Sequence, residues 1–320
     1  MMPTQKVAVV GGTGFIGSHL SEYLLQQGHE VLVVARSVRR LDYLPVHPNL
    51  WFEAADIVDH SSIAASLKNF GPETVFHLAS ESDAAESGDH IHACLQSNTV
   101  GTLNTLQASI SSGAKLFVYA DSSKVYGNGP VPFRPKQPED PICSYAIAKA
   151  AGWKLCKLLA EREQIKIVGL RPTFVYGPRQ NFNLISYVEQ SVKKNLPIRI
   201  QGGKQTRDLL YIEDAVRCFE CIMHSSATWG QSLPIGGGRE ISVAELCREI
   251  LSTLSSDADL LEDGQPPRPT EIWRSYCDNM QIRQLSGWSP RISLREGLRR
   301  TLHPSLYPAQ AAHTLRAIAG

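Results

Sequence analysis

The run Val7-Ala-Val-Val-Gly-Gly-Thr-Gly-Phe-Ile-Gly-Ser-His-Leu20 constrains the fold more than any other stretch of this 320-residue chain. A β-branched apolar segment passes directly into Gly11, Gly14 and Gly17, spaced G-x-x-G-x-x-G, and a helix-period segment, Ile16–Gln27, follows at once. Three glycines at that spacing are a weak signal alone. Between a strand and a helix they have a specific use. They allow the tight turn, let a pyrophosphate approach the backbone, and leave the free N–H groups and positive dipole end of the helix facing the anion. Gly11, Gly14, Phe15, Ile16 and Gly17 are therefore the expected phosphate-loop residues of a dinucleotide site.

The first half of the chain keeps the same rhythm. Lys6–Val10, Glu30–Val34, Thr74–Leu78, Leu116–Ala120 and Lys166–Leu170 read as strands, and Ile16–Gln27, Val100–Ser111 and Tyr145–Arg162 as helices. Such alternation predicts an α/β fold, a doubly wound parallel sheet of Rossmann type whose strands are apolar throughout because helices cover both faces. After Arg171-Pro172 the pattern loosens. Gly177-Pro178, Gly202-Gly203, Gly236-Gly237-Gly238 and Pro266-Pro267-Arg268-Pro269 divide the chain into short pieces, as in a smaller, loop-rich lobe. The expected division is a dinucleotide-binding domain of residues 1–172 plus about 208–236, a substrate lobe of 173–207 plus 237–302, and a tail, 303–320.

Charge and cysteine content narrow the function classes. The chain has 32 basic against 31 acidic side chains, a net +1. Neither nucleic acid nor an anionic membrane is expected as a partner, and an anionic ligand must be held locally. No apolar stretch reaches the length of a membrane span, and the N-terminus enters the first strand without a signal-peptide pattern, which points to a cytoplasmic protein. The 7 scattered cysteines fit reduced thiols. Cys218 and Cys221 have C-x-x-C spacing but lie in a helix-like run with no second pair, so they read as packing residues and no metal site is expected.

Two positions bear on the chemistry. The carboxylate that would hold the adenosine ribose hydroxyls about 20 residues beyond the loop is replaced by Ala35-Arg36. Arg36 would take a 2′-phosphate, pointing to NADP, or stack on adenine, or simply be solvated beside Arg39 and Arg40. Further on, Tyr145 and Lys149 in Ser-Tyr-Ala-Ile-Ala-Lys are four apart and share a helix face. An ammonium near a phenol is expected to lower a pKa that is ~10 when unperturbed. That would make Tyr145 a general base for a sugar or alcohol hydroxyl.

With these residues in place, the chain resembles the extended short-chain dehydrogenase/reductases, in particular their nucleotide-sugar epimerase and dehydratase group, from about Lys6 to Leu302. The resemblance rests on Gly11-x-x-Gly14-x-x-Gly17, Asp56-Ile57, His77-Leu-Ala-Ser-Glu-Ser82, Asn98 in Asn-Thr-Val-Gly-Thr-Leu, and Ser122 with Val125-Tyr-Gly127. It continues with Tyr145 and Lys149, Arg171-Pro172 with Tyr176-Gly-Pro178, and the segments Pro197–Asp214 and Gly287–Leu298. It implies that Asp56, Ile57, Leu78, Ala79, Ser80, Asn98, Tyr145, Lys149 and Pro172 help to hold the dinucleotide. It also implies that Ser122 and Tyr145 bracket a sugar C4 hydroxyl while hydride leaves C4. Glu81, Ser122, Lys124, Tyr145, Asn183, Arg207 and Arg268 would face the substrate, the two arginines clamping the pyrophosphate of a UDP-sugar. A tightly bound, recycled NAD is implied, with NADP left open by Arg36, as is a homodimer built on the helices at Val100–Ser111 and Tyr145–Arg162.

In the related 4,6-dehydratases the position matching Ser122 is followed by an Asp and then a Glu or Lys, the last removing the C5 proton. Here those positions are Ser123 and Lys124. A C4 ketone acidifies C5, and a lysine serves as base if burial depresses its pKa, so Lys124 is the candidate C5 base. The acid for the departing C6 hydroxyl is replaced by the weaker donor Ser123, leaving Glu81 or Cys143 as other donors. Phe174 stands where the family often has an asparagine near the substrate phosphates. A tighter resemblance is to the UDP-N-acetylglucosamine 5,6-dehydratases of the tunicamycin pathway. The expected activity is that of a UDP-sugar dehydratase giving a 5,6-ene or a 4-keto-6-deoxy sugar. A UDP-sugar 4-epimerase in which Lys124 is idle and an NADPH-dependent reductase are the alternatives. A non-catalytic dinucleotide-binding protein is disfavoured by the presence of both Tyr145 and Lys149.

Overall fold

The alternating apolar runs form the strands expected of them. The computed structural model describes residues 4–37, 41–82, 86–180, 183–262, 264–266 and 268–306. In chain order the strands are β1 (Lys6–Val10), β2 (Glu30–Ala35), β3 (Leu50–Ala54), β4 (Thr74–His77), β5 (Leu116–Ala120), β6 (Lys166–Pro172), β7 (Phe174–Tyr176), β8 (Ile198–Ile200), β9 (Thr206–Tyr211), β10 (Ser232–Ile235), β11 (Glu240–Ser242) and β12 (Leu260–Glu262). The helices are α1 (Phe15–Gln26), α2 (His60–Phe70), α3 (Gly88–Leu95), α4 (Gly101–Ser111), α5 (Ser144–Glu163), α6 (Leu184–Lys193), α7 (Ile212–Cys221), α8 (Val243–Thr253), α9 (Met280–Ser286) and α10 (Leu294–Leu302).

Seven strands make one parallel sheet in the order β10-β6-β5-β4-β1-β2-β3. Val7 and Val9 point into one apolar layer, Ala8 and Val10 into the other. Both faces of each central strand are therefore buried, which is why their sequences show no polar alternation. Val10 lies opposite both Val34 and His77, so the order of strands reverses at β1. The crevice at the carboxyl ends of β1 and β4 is where such sheets bind ligands.

The looser second half forms a three-stranded sheet, β11-β9-β7, and a two-stranded one, β12-β8. β9 pairs with β7 and β11, while α7 directly after it packs back on α1, so the chain passes between the two layers at Tyr211–Ile212. Cys218 is buried in the main core and Cys221 donates to the Ser286 carbonyl at 3.2 Å, both packing roles. His29, Glu220 and His224 are the one group with metal-like spacing among the described residues. The Gln5 N–H donates to His29 Nδ1 at 3.2 Å, however, which puts the proton of the neutral ring on Nε2. The ring then offers the other two a donor and no lone pair. No helix among the described residues is long and apolar enough to cross a membrane. After α10 the chain makes a short 3₁₀ turn at Pro304–Leu306, and the rest of the tail lies outside the described residues.

A buried ion pair closes the active-site end of the sheet. Arg171, on β6, donates from Nε to Asp121 Oδ2 at 2.6 Å, from Nη1 to the Tyr126 hydroxyl at 3.0 Å, and from Nη2 to Glu139. Asp121 also accepts from the Ser122 N–H and the Ser232 hydroxyl, each at 2.8 Å. Both charged residues are 2% exposed. Arg171→Met should destabilise the protein by about 3–5 kcal/mol, because Asp121 is left charged without its partner. Urea unfolding checks this, and an Arg171→Met/Asp121→Asn double variant should lose less than the sum of the single changes.

Candidate active site

The phosphate loop is shaped by what cannot fit. Gly11 has φ +88°, and a Cβ there would lie 2.5 Å from the Ala79 nitrogen. A Cβ on Gly17 would lie 2.2 Å from the Gly11 carbonyl oxygen, so helix α1 can approach the turn this closely only with glycine there. Gly14 caps α1 in an extended conformation with no side-chain cap, leaving the first N–H groups facing the crevice. Phe15 and Ile16 start the helix and turn their side chains toward the core.

The crevice is a cleft of about 600 Å³ lined by Gly11, Gly14, Arg36, Asp56, Ile57, Leu78, Ala79, Ser80 and Glu81. These residues fit a dinucleotide: a bare helix N-terminus and a Cβ-free turn at one end, an apolar Ile57 and Leu78 beside it. Arg36 is exposed at the end of β2, whereas Arg39 and Arg40 lie outside the described residues. Thr13, Gln96 and Ser97 also line the cleft and were not legible as site residues in the sequence. Asn98, expected to touch the cofactor, is fully buried instead. Its Oδ1 accepts from the Ser80 hydroxyl and the Glu81 N–H, each at 2.9 Å, and its Nδ2 donates to the Glu81 carbonyl at 2.8 Å. It holds the cleft wall from a π-helical turn at Gln96–Val100, and the wall faces the cleft.

Helix α5 presents Tyr145 to a neighbouring cavity of about 190 Å³, lined by Ser122, Ser123, Lys124, Cys143, Pro172, Phe174, Arg207 and Arg268, with Glu86 and Glu271. Burial pushes the Tyr145 phenol up to about 12, opposed by the hydroxyls of Ser122, on the cavity side, and Ser80, on the cleft side. Lys149, 1% exposed, is pushed down to about 8 by burial, opposed by the Asp121 carboxylate. Its Nζ donates to the Ala120 carbonyl at 2.8 Å and sits 5.9 Å from the Tyr145 ring centroid. The expected lowering of Tyr145 by the lysine is thus outweighed: removing both groups from water costs each its charged form, and the ammonium faces the ring and a carbonyl.

Glu81 lines the cleft beside the phosphate loop, and Pro172 lines the cavity in front of Tyr145. Asn183 caps α6, accepting from the Ser186 N–H at 2.8 Å, and does not line the cavity. Lys124 does line it, with Nζ 5.4 Å from the Tyr145 ring centroid, but the residue is exposed, so the burial on which a lysine base would draw is missing. Arg207 is held by Glu271 and donates at 2.8 Å to the carbonyls of Thr206 and Ile272.

The residues from 7 to 236 match the family described as NAD dependent epimerase/dehydratase. The chain belongs to that family. A UDP-glucose 4-epimerase of Mycolicibacterium smegmatis is 30% identical over 308 residues, covering 93% of this chain and 97% of that protein. Among solved structures, the Thermotoga maritima UDP-glucose 4-epimerase with UDP-glucose superposes with a TM-score of 0.86 at 28% identity, covering 94% and 99%. The Thermus thermophilus UDP-glucose 4-epimerase complex with NAD gives 0.83 at 27%, covering 93% and 97%.

For this member of the epimerase/dehydratase family, Gly17→Ala should drive a methyl into the Gly11 carbonyl and displace the phosphate loop. The protein should then be purified with at least about tenfold less bound dinucleotide, measured by extracting and quantifying it. A second expectation concerns Asp208, next to Arg207 and fully buried, whose carboxyl is pushed up to about 7 by burial, against N–H donors from Cys277, Arg239, Gly237 and Gly238. The folded protein keeps a proton here that the open chain releases near 3.8. The associated stability is complete below that value and is lost as pH rises through about 7, on the order of 4 kcal/mol in all. Asp208→Asn should lose less stability than the parent between pH 4 and 8, seen as a flatter urea-midpoint profile.

Proposed function

We propose that the protein is a UDP-sugar dehydratase that oxidises C4 transiently, removes the C5 proton and expels the C6 hydroxyl. The observation that carries the C4 step is the place of Tyr145, which lines the cavity together with Ser122 while Ser80 on the adjoining cleft also acts on its hydroxyl. Bound in the cleft, NAD supplies the hydride acceptor for C4 and returns the hydride later in the same turnover. Tyr145 takes the proton of the C4 hydroxyl, with Ser122 holding that oxygen. Lys149 positions the Tyr145 face of α5 through its bond to the Ala120 carbonyl. Arg207 and Arg268, both lining the cavity, would bind the diphosphate. The uridine assignment draws on the Thermotoga maritima enzyme crystallised with UDP-glucose. In its narrowest form the substrate is UDP-N-acetylglucosamine and the product its 5,6-ene. A homodimer is part of the same reading, supported by exposed Ile91 and Leu95 on α3, Val100, and Ile147 and Leu158 on α5.

A second reading, UDP-sugar 4-epimerase, is favoured by the exposure of Lys124 and by the 30% identical 4-epimerase. In that case the same C4 ketone is re-reduced from its other face. Incubation with UDP-N-acetylglucosamine in D2O, followed by proton NMR, separates the two: vinyl signals from C6 mark elimination, and a changed C4 coupling marks epimerisation. Under either reading Tyr145→Phe should lower turnover by about 10²–10⁴-fold. Turnover at the parent rate would remove the role of the phenol.

A further inference from the structure

Elimination at C6 needs an acceptor for the C5 proton and a donor for the departing oxygen, and the exposure of Lys124 leaves the acceptor unassigned. We propose that Glu86 is the C5 base and that Lys124 delivers the proton to the leaving C6 oxygen; the assignment rests on the dehydratase reading above.

Two carboxylates line the cavity among the described residues, Glu86 and Glu271. Glu271 is occupied by the Arg207 guanidinium. Glu86 pairs with no lysine or arginine among the described residues. Both of its oxygens instead accept from the Ser144 N–H, at 3.2 and 3.3 Å. Ser144 opens α5 and immediately precedes Tyr145, so the carboxylate is tied to the helix start that presents the phenol. Lys124 approaches the same ring from the loop after β5, with Nζ 5.4 Å from its centroid. Tyr145, an acceptor and a donor thus line one cavity, the donor near the ring and the acceptor tied to the residue before it. When a sugar C4 hydroxyl meets Tyr145, C5 lies one bond from C4 and C6 two. An ammonium offers three donors and no acceptor, and a carboxylate offers lone pairs, which fixes the division of labour between them. In the step itself the C5–H proton passes to Glu86, the C5 electron pair forms the C5=C6 bond, the C6–O bond breaks, and the oxygen takes a proton from Lys124 and leaves as water. Ser123, buried beside them, is left to line the cavity.

The test uses the holoenzyme with UDP-N-acetylglucosamine in D2O. It follows loss of the C5 hydrogen, as deuterium incorporation or vinyl signals, together with the absorbance of reduced dinucleotide. Glu86→Gln keeps an oxygen to accept the Ser144 N–H, so the start of α5 is preserved. It should still reduce its bound dinucleotide while losing the C5 hydrogen at least about 100-fold more slowly. Lys124→Met should keep C5 deuteration and lose dehydrated product by a similar factor. C5 loss at the parent rate in Glu86→Gln would overturn the assignment and leave the dehydratase reading standing. Failure of Glu86→Gln to reduce dinucleotide at all would also overturn it, since the residue would then only position Tyr145. A parent protein that inverts C4 without touching C5 would overturn the dehydratase reading, and the assignment with it.

Discussion

Asp121 and Arg171 leave adjacent parallel strands at their carboxyl ends and meet in the interior, 2.6 Å apart and both almost wholly screened from water. Two charges in such a place are stable only when every remaining donor and acceptor is answered. Arg171 reaches Tyr126 and Glu139, and its guanidinium lies 5.0 Å from the Tyr126 ring centroid. Asp121 holds the Ser122 N–H and reaches across to Ser232 on β10. The loop that carries Ser122, Ser123 and Lys124 is therefore bracketed at both ends, at Asp121 and at Tyr126. Its position relative to α5 follows from a buried pair that takes no part in the chemistry.

The same carboxylate acts at a distance on the catalytic helix. Burial works against the charge on Lys149, Asp121 works for it, and the result falls at about 8. For Tyr145 no such compensation reaches the hydroxyl, and burial carries it to about 12. The hydroxyls of Ser122 and Ser80 are what oppose that rise. Lys149 meanwhile spends a donor on the Ala120 carbonyl and faces the Tyr145 ring, so it orders the backbone and the ring around the phenol.

Legibility in the sequence tracked the range of the interaction. Gly14 and Gly17 announce a turn whose crowding lies within seven residues, whereas Gly11 also makes room for Ala79 from another strand end, and Tyr145 and Lys149 announce a shared helix face whose cause is one helical turn. Asn98, Glu81 and Pro172 carry no local sign of which cavity they border, because that depends on the segments packed around them. Asn183 carries the residue type of a substrate ligand and of a helix cap alike, and the structure uses it as the cap. Glu86 had no signal: the sequence from Glu81 to Asp89 is rich in acidic residues, and no period distinguishes one carboxylate from the next.

The order of apolar runs and glycines by itself determined a parallel sheet with helices on both faces and a phosphate loop after its first strand, since strand burial and turn sterics are local properties. The tertiary structure alone decided which polar groups share water-poor space. Whether Lys124 is buried, whether Tyr145 is governed by an ammonium or by desolvation, and whether Glu86 reaches the start of α5 all depend on segments tens of residues apart. Electrostatic strength in a protein is set by the surrounding medium, and that medium exists only once those segments have packed.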